Sequence, residues 1–225
     1  MAIDFENGSS QNVTIPDVAG LEISGQITLC AWCKIESTGG LKGIIYKGVG
    51  NNQETWLRLN GTSLQGGTWQ SSPGDTKVTH TLAGSELTDW HYFAMVYNGS
   101  AWKLYINAVE EASLTTVQGA RPCVGVGWAI GSNSTSSRYF DGLIDDARIY
   151  DRGLSPEEIE IIYETKGTDA IVDGLVGKWL MSEKEPTGVA SGASTVKDQV
   201  GGNHGTPNNS PAYTESLIRP VRLVI

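Results

Sequence analysis

Tryptophan side chains are the strongest candidates in this sequence for holding a ligand. A flat indole can stack on the apolar face of a pyranose ring, while neighbouring Asn, Gln and Asp side chains bond the hydroxyls of the sugar. Three tryptophans are candidates for such a sugar platform: Trp56, Trp69 and Trp128. Trp69 is the most interesting of them, because it lies in the polar segment 65–72, where burial is less assured. Packing of a loop is the alternative role for Trp69, since aromatic side chains bury large areas with or without a ligand.

The histidines and cysteines do not form a recognisable metal or catalytic motif. His80, His91 and His204 are scattered along the chain, with no His-x-x-x-His spacing. Cys30 and Cys33 lie three residues apart in a strand-like run, so they point to opposite faces and are expected to be small apolar fillers. There is no Gly-x-Ser-x-Gly nucleophile elbow and no phosphate-binding loop. We therefore expect neither a zinc site nor catalysis.

Composition and charge limit the partners of this chain. It has 225 residues, 16 basic and 25 acidic side chains, a net charge of -9 and a pI near 4.8. Duplex nucleic acid and anionic membranes both demand clustered Lys and Arg, so neither is expected as a partner. No run approaches the ~20 apolar residues of a membrane-spanning helix, and the first six residues lack the features of a signal peptide. The sequence as written predicts a protein that stays in the cytosol unless it leaves with an assembly or by lysis.

The elements that must position the candidate residues are mostly short strands. Runs of apolar and β-branched residues alternate with Gly, Asn and Ser turns at a spacing typical of an all-β, two-sheet antiparallel sandwich. Asn98-Gly99 lies between two apolar runs and predicts a hairpin over residues 90–106. The predicted strands cover residues 11–15, 27–35, 43–47, 55–59, 90–97, 102–106, 128–131 and 143–150.

One short helix is predicted after residue 154. Ser155 is a favoured N-cap residue, Pro156 occupies the first helical position, and Glu158 completes a capping box. Gly167 is expected to end the helix. Three residues at helical spacing would face the sandwich in a packing role: Ile159, Ile162 and Tyr163.

Ordered blocks over about the first 163 residues carry a family likeness. They read AIDFENG at 2–8, QNVTIP at 11–16, ITLCAWCK at 27–34, GIIYK at 43–47, DWHYFAMVY at 89–97, KLYIN at 103–107 and, most distinctive, FDGLIDDARIYDRGLS at 140–155. In type and order they resemble the laminin-G-like jelly rolls of the concanavalin A-like lectin and glucanase superfamily. The resemblance implies a two-sheet antiparallel jelly-roll sandwich.

The C-terminal segment departs from the order of that family. GLVGKW at 174–179 and DQVGGNHGT at 198–206 look like the segment that usually precedes the first block, as in a circular permutation. Because the chain ends of a sandwich usually lie close together, this segment can complete the same fold from the other terminus, or it can enter a neighbouring subunit. We therefore predict a single domain over residues 1–225, with 174–225 as completing strands or as a subunit-interface segment. The apolar residues at the end of the chain need a cover in either case.

The resemblance also raises glucanase chemistry, which the sequence does not support. Enzymes of that branch commonly carry their acidic pair alternating along one strand, and no Glu-x-Asp-x-x-Glu run occurs. Asp145-Asp146 and the acidic residues of the helix are expected to be solvated or capping charges. The chain is therefore predicted not to be an enzyme.

Calcium is the cofactor that the resemblance implies. A hard cation takes six to eight oxygen ligands, which acidic Gly- and Asn-rich turns supply. The resemblance points to Asp4, Glu6 and Asn7 of the first block and to Asp146 of the distinctive block. The alternative is that hydrogen bonds of these side chains order the same loops without a metal.

Two classes of function remain after enzymes are set aside. The first is a structural and adhesive module of a large assembly, such as a decoration or tail-associated protein on a phage virion, whose partners are copies of itself or other virion subunits. It is favoured by the lack of an export signal and by the apolar C-terminus. The second is a secreted carbohydrate-binding or adhesion module, extracellular, favoured by the lectin-like fold and by Trp69. Glycan recognition could serve either class.

Overall fold

The computed structural model describes residues 1–48, 54–71, 74–135, 137–184 and 187–216, in which two antiparallel sheets pack face to face. The strands are β1 (Ala2–Phe5), β2 (Asn12–Thr14), β3 (Ile27–Ile35), β4 (Leu41–Lys47), β5 (Glu54–Asn60), β6 (Ser63–Gln70), β7 (Gly74–Thr81), β8 (Trp90–Tyr97), β9 (Ala101–Ile106), β10 (Val109–Thr115), β11 (Trp128–Ile130), β12 (Gly142–Tyr150), β13 (Leu175–Trp179), β14 (Thr206–Asn208) and β15 (Ala212–Thr214). One α-helix, α1, spans Pro156–Thr165, and short 3₁₀ turns span Asn7–Ser9, Ala19–Leu21 and Gly84–Leu87. The predicted antiparallel sandwich with one short helix is confirmed.

The strands divide into an eight-stranded and a seven-stranded sheet. The first has the order β10-β9-β8-β3-β12-β1-β15, with β13 also paired to β12, and the second has the order β14-β2-β11-β4-β5-β6-β7. Alternate residues of each strand point into one shared core, as Leu57 and Leu59 do from β5 and Met95 does from β8. The hairpin predicted at Asn98-Gly99 is present as β8–β9, and Gly99 has the positive φ, 94°, that such a turn favours.

Helix α1 forms where its local signals predict it. The Ser155 hydroxyl accepts a hydrogen bond from the Glu158 amide at 3.3 Å, and the Glu158 carboxylate accepts one from the Ser155 amide at 2.9 Å. Both halves of the predicted capping box are therefore present. The helix ends at Thr165, before Lys166 and Gly167, which both adopt positive φ.

The helix covers part of the outer face of the eight-stranded sheet. Ile159 and Ile162 are fully buried in a second apolar cluster with Trp32 and Tyr92 from the sheet. Tyr163 stacks on Trp32, with ring centroids 5.4 Å apart. One sheet of the sandwich therefore has a covered outer face.

Four strands before helix α1 are absent from the predicted set: β1, β6, β7 and β10. The segment 65–72, which the sequence presents as polar and flexible, belongs largely to β6. A side chain on Gly66 would place its Cβ 2.2 Å from Met95 Cγ. The absence of a side chain at Gly66 therefore leaves room for Met95 from the other sheet. Strand β6 forms despite its two adjacent glycines because β5 and β7 pair with it on both sides.

The C-terminal segment adds three strands to the sheets. Strand β13 pairs with β12, β14 with β2, and β15 with β1. The apolar end of the chain, residues 217–225, lies outside the described residues. No helix among the described residues is both long enough and apolar enough to cross a membrane.

Candidate functional site

The outer face of the seven-stranded sheet carries aromatic, charged and amide side chains that are suited to binding a ligand. Because Leu57 and Leu59 of β5 point into the core, the alternate residues Glu54, Trp56 and Arg58 point away from it. The register places Gln65 and Trp69 of β6, and Asp75 and Lys77 of β7, on the same side. We call this surface, with Tyr46 of β4 and the nearby Arg138, the binding face.

Two aromatic rings form the inner layer of the binding face. Tyr46 and Trp56 are fully buried and stack with their ring centroids 5.9 Å apart and their planes at 19°. Guanidinium groups lie over both rings: Arg58 is 4.0 Å from the centroid of Trp56, and Arg138 is 5.7 Å from that of Tyr46. These cation–π contacts shield the aromatic layer from water and place positive charge on top of it.

A polar network joins the two arginines to the rest of the face. The Tyr46 hydroxyl donates to Glu54 Oε2 at 2.6 Å and accepts from Arg138 Nη1 at 2.6 Å. Burial and the neighbouring Glu54 carboxylate raise the pKa of Tyr46, so this hydroxyl stays protonated. Arg58 Nε donates to Gln65 Oε1 at 3.0 Å. The network therefore holds its charged and amide groups in fixed positions.

Trp69 is the aromatic residue of the binding face that remains partly exposed. It lies on β6 between Glu54 of β5 and Asp75 of β7, its direct partners across the two pairs of strands. Asp75 is exposed and accepts a hydrogen bond from Lys77 Nζ at 2.6 Å. An indole with the exposed carboxylate of Asp75 beside it can offer a stacking surface and a hydroxyl acceptor to one sugar.

The other two predicted tryptophans do not offer an exposed ring. Trp56 lies on the binding face but is covered by Arg58. Trp128 lies in the core between the sheets, where its indole N–H donates to the Leu21 carbonyl at 3.0 Å. Trp56 and Trp69 therefore share the binding face and Trp128 does not, and of the three only Trp69 has a partly exposed ring.

A group of carboxylates lies at another place, beside β1. Asp4, Glu6 and Glu36 each offer one oxygen, and these oxygens lie within 4.8 Å of one another. Asp4 Oδ1 is buried and has no hydrogen-bond partner among the described residues. Burial and the charge of Asp141 raise the pKa of Asp4, and burial with the charges of Asp4 and Glu6 raises that of Glu36. Such an excess of negative charge is a suitable setting for a hard cation.

The predicted calcium ligands are only partly brought together. Asp4 and Glu6 meet, but Asn7 does not belong to the group: its backbone N–H donates to Asp141 Oδ1 at 3.0 Å. Sequence reasoning missed Glu36. Its only signal is its position at the end of β3, and the pairing that brings β3 near β1 through β12 is not a local pattern.

Asp146 lies elsewhere, in a buried cluster around Arg148. Arg148 donates from Nε to Asp146 Oδ1 at 3.1 Å and from Nη2 to Asp146 Oδ2 at 2.7 Å. It also donates to both carboxylate oxygens of Asp169, at 3.0 and 2.7 Å. Asp145 and Asp146 are fully buried, so the expectation that they are solvated or capping charges was wrong. A β-bulge between Asp145 and Arg148, where Asp146 has a φ of 46°, turns the carboxylate of Asp146 toward the arginine.

Solved structures with a similar fold include carbohydrate-binding domains. A protein of Bacteroides ovatus ATCC 8483 that has been suggested to bind carbohydrate aligns with a TM-score of 0.69 and 20% identity, over 95% of this chain and 59% of its own. Domain 4 of AbnA, a GH43 extracellular arabinanase of Geobacillus stearothermophilus solved in complex with arabinotriose, aligns with a TM-score of 0.52 and 25% identity, over 66% of this chain and 70% of its own. The CBM40 of a Ruminococcus gnavus IT-sialidase, bound to α2,3-sialyllactose, aligns with a TM-score of 0.57 and 15% identity, over 72% of this chain and 96% of its own.

The family of the chain follows from its sequence as well as its fold. No curated protein matches it. A family model described as the concanavalin A-like lectin/glucanases superfamily matches residues 7–160, more than half of the chain. The match includes the distinctive block that begins at Phe140, so the resemblance inferred from the residues is confirmed. The chain belongs to the concanavalin A-like lectin/glucanase superfamily.

Proposed function

We propose that this protein is a non-catalytic carbohydrate-binding module that holds a glycan on the binding face. The observation that carries the proposal is Trp69, a partly exposed indole on an open sheet face with Glu54 and Asp75 as its cross-strand neighbours. Sugar recognition combines an aromatic stacking surface with a few fixed polar groups, and this face supplies both.

The position of helix α1 supports the choice of sheet. Helix α1 covers part of the outer face of the eight-stranded sheet through Ile159 and Ile162. The binding face has no such helix over its described residues. An extended oligosaccharide therefore finds a broader accessible surface on the seven-stranded sheet.

The comparison with the arabinanase domain supports the class of ligand. That domain is 25% identical over 66% of this chain and was solved with arabinotriose. The Bacteroides and CBM40 structures share the fold at lower identity. Because the chain spans 59% of the length of the Bacteroides protein, we propose a binding module and not the activity of a larger protein.

Binding without hydrolysis is proposed because the two carboxylates of the binding face do not form an open pair of acid and base. Glu54 accepts from Tyr46 and lies 3.9 Å from Arg138, and Asp75 is paired with Lys77 at 2.6 Å. A glycosidase needs one protonated carboxylic acid and one carboxylate placed on either side of the scissile bond. Glu54 is buried and Asp75 is exposed, so the two carboxylates are poorly placed to flank one scissile bond.

The larger setting of the module rests on the sequence alone. A virion surface protein and a secreted module remain the two proposals, and glycan recognition serves in both. Self-assembly into a homo-oligomer is likewise a proposal, which the mass of the protein in solution would test.

Calcium remains a second proposal, at the Asp4–Glu6–Glu36 group. The carboxylates are close enough to share one cation, and the unpartnered Asp4 Oδ1 fits an oxygen donor that lacks its positive partner. The ion would neutralise the excess negative charge of this group beside β1.

The Trp69→Ala variant tests the proposed function. We expect the wild-type protein to bind members of a glycan array, and Trp69→Ala to weaken that binding by at least ten-fold, since one aromatic contact contributes about 1 kcal/mol or more beyond its buried area. Trp90→Ala is the matched control, because Trp90 is also partly exposed but lies on the other sheet. Affinity is measured by calorimetry for the best array ligand. Equal loss in both variants, or no loss in Trp69→Ala, would contradict the proposed site.

A further inference from the structure

Arg58 is a buried cation without a carboxylate partner among the described residues. It is 7% exposed and contacts the Trp56 ring at 4.0 Å and Gln65 Oε1 at 3.0 Å from its Nε. Tyr46 and the carboxylate of Asp75 also interact with it, but Asp75 forms its ion pair with Lys77. Arg148, which is fully buried, is bound by two carboxylates. A buried charge that lacks a counter-charge is costly, so Arg58 is unusual for a folded protein.

Both carboxylates of the binding face form their ion pairs with cations other than Arg58. Glu54 lies 3.9 Å from Arg138, and Asp75 lies 2.6 Å from Lys77. Strands β4 to β7 and Arg138 thus bring three cations and two carboxylates to the binding face, although the whole chain has a net charge of -9. Burial is the main cause that lowers the pKa of Arg58; the charge of Arg138 also lowers it, while Tyr46 and Asp75 act in the opposite direction. One positive charge is left over, at the layer that covers the aromatic rings.

We propose that the binding face takes an anionic oligosaccharide, bearing a carboxylate or a sulfate that the guanidinium of Arg58 binds with help from Arg138. This inference rests on the proposed function and names the class of its ligand. A guanidinium stacked on an indole can still direct N–H groups outward in its plane, the geometry that carboxylates and sulfates accept. Arg138, whose side chain is 30% exposed, is the more accessible of the two cations.

The spacing of the two anchors indicates more than one sugar. Trp69 lies opposite Glu54, and Arg58 lies four residues farther along β5, which corresponds to about 13 Å of strand. A ligand that stacks on Trp69 and places its anion at Arg58 must therefore be an oligosaccharide. Neutral contacts would lie at the Trp69 end and the charged contact at the Arg58 end.

The test compares glycans that differ only in charge. Calorimetry would be run on the wild-type protein with oligogalacturonides and with their methyl esters, and with dextran sulfate and dextran, after an array has compared acidic glycans with their neutral counterparts. We expect at least ten-fold tighter binding of a charged form, weakening as NaCl is raised. The pectin and dextran pairs distinguish a carboxylate from a sulfate ligand.

Variants identify which residue binds the anionic group of the glycan. Arg58→Gln should remove most of the preference for the charged form, and Arg138→Gln should reduce it, whereas Lys103→Gln, on the other sheet, should leave it intact. Melting temperatures would establish that each variant is folded. If Arg58→Gln does not fold, Arg138→Gln alone tests the inference.

Each outcome has a distinct meaning. Equal affinity for charged and neutral forms, or retention of the preference in both arginine variants, would overturn this inference while leaving the proposed function standing. Failure to bind any glycan on the array would contradict both.

Discussion

Arg148 and Arg58 show how differently one residue type can be used in this protein. Both are more than nine-tenths buried, but Arg148 is bound by Asp146 and Asp169, while Arg58 lies on an aromatic ring. The Arg148 cluster attaches the segment after helix α1 to β12, so its role is structural. Arg58 forms no ion pair among the described residues, and in our proposal the anionic group of a ligand supplies that charge.

This contrast predicts that replacing the two arginines has very different effects on stability. Arg148→Met would leave two carboxylates buried without a cation and should reduce the free energy of unfolding by about 3–5 kcal/mol. Arg58→Met removes a buried charge that has no carboxylate partner and should change it by less than about 1 kcal/mol, or increase it. Urea denaturation of both variants alongside the wild type measures the difference. A similar loss in the two would show that Arg58 is as structural as Arg148.

The proposed calcium site depends on the carboxylates of a few residues, and it predicts that the stability of the protein depends on pH. Because the pKa values of Asp4 and Glu36 are raised in the folded protein, their contribution to stability is present at low pH and is lost as the pH rises through those values. Calcium would replace the lost protons, so millimolar calcium should raise the melting temperature at pH 7 and have little effect at pH 4. Glu36→Gln should reduce the shift, whereas Glu160→Gln, on the helix, should not. An equal melting temperature with calcium and with chelator at pH 7 would dispose of the site.

At the scale of elements, the sequence predicts the helices and strands that depend on local signals, but not those that depend on strand pairing. Helix α1 could be predicted because its cap, its proline and its apolar stripe lie within ten residues. Strand β6 could not, because its glycines disfavour a strand and only pairing with β5 and β7 stabilises it. The same limit applies to the site. Trp128 lies in a strand of only three residues, too short for alternation to show which way it points, and the bulge at Asp146 breaks the alternation in β12.

The capping box predicts a measurable share of the stability of α1. Ser155→Ala would leave the Glu158 amide without its side-chain partner and should cost about 1 kcal/mol in the free energy of unfolding. Ser113→Ala is a suitable control, because Ser113 is exposed in the edge strand β10. Chemical denaturation of the two variants would resolve this difference. Equal effects would mean that the packing of Ile159 and Ile162 alone holds the helix in place.

At the scale of the whole molecule, the described C-terminal segment completes sheets that begin at the N-terminus. Strand β15 is antiparallel to β1, with Thr214 opposite Ala2 and Ala212 opposite Asp4. The end of β15 therefore lies next to the start of β1, where a short loop could join them as in a hairpin. This arrangement is the one that a circular permutation requires. The order of segments along the chain can change while the strand pairings stay the same.

A permuted chain tests that proposal directly. It would begin at Thr168, an exposed residue after the helix, run to Ser216, continue through a short glycine-rich linker into Ala2, and end at Gly167. Because every described strand pairing is retained and the new join spans neighbouring strand ends, we expect cooperative unfolding with a melting temperature close to that of a 1–216 chain in the natural order. A chain of residues 1–166 lacks β13, β14 and β15 and should lose cooperative unfolding, because β1, β2 and β12 each lose a paired strand. Circular dichroism during heating compares all three. If the permuted chain failed to fold, or the 1–166 chain were as stable as the 1–216 chain, the C-terminal strands would not complete this sandwich as their pairing indicates.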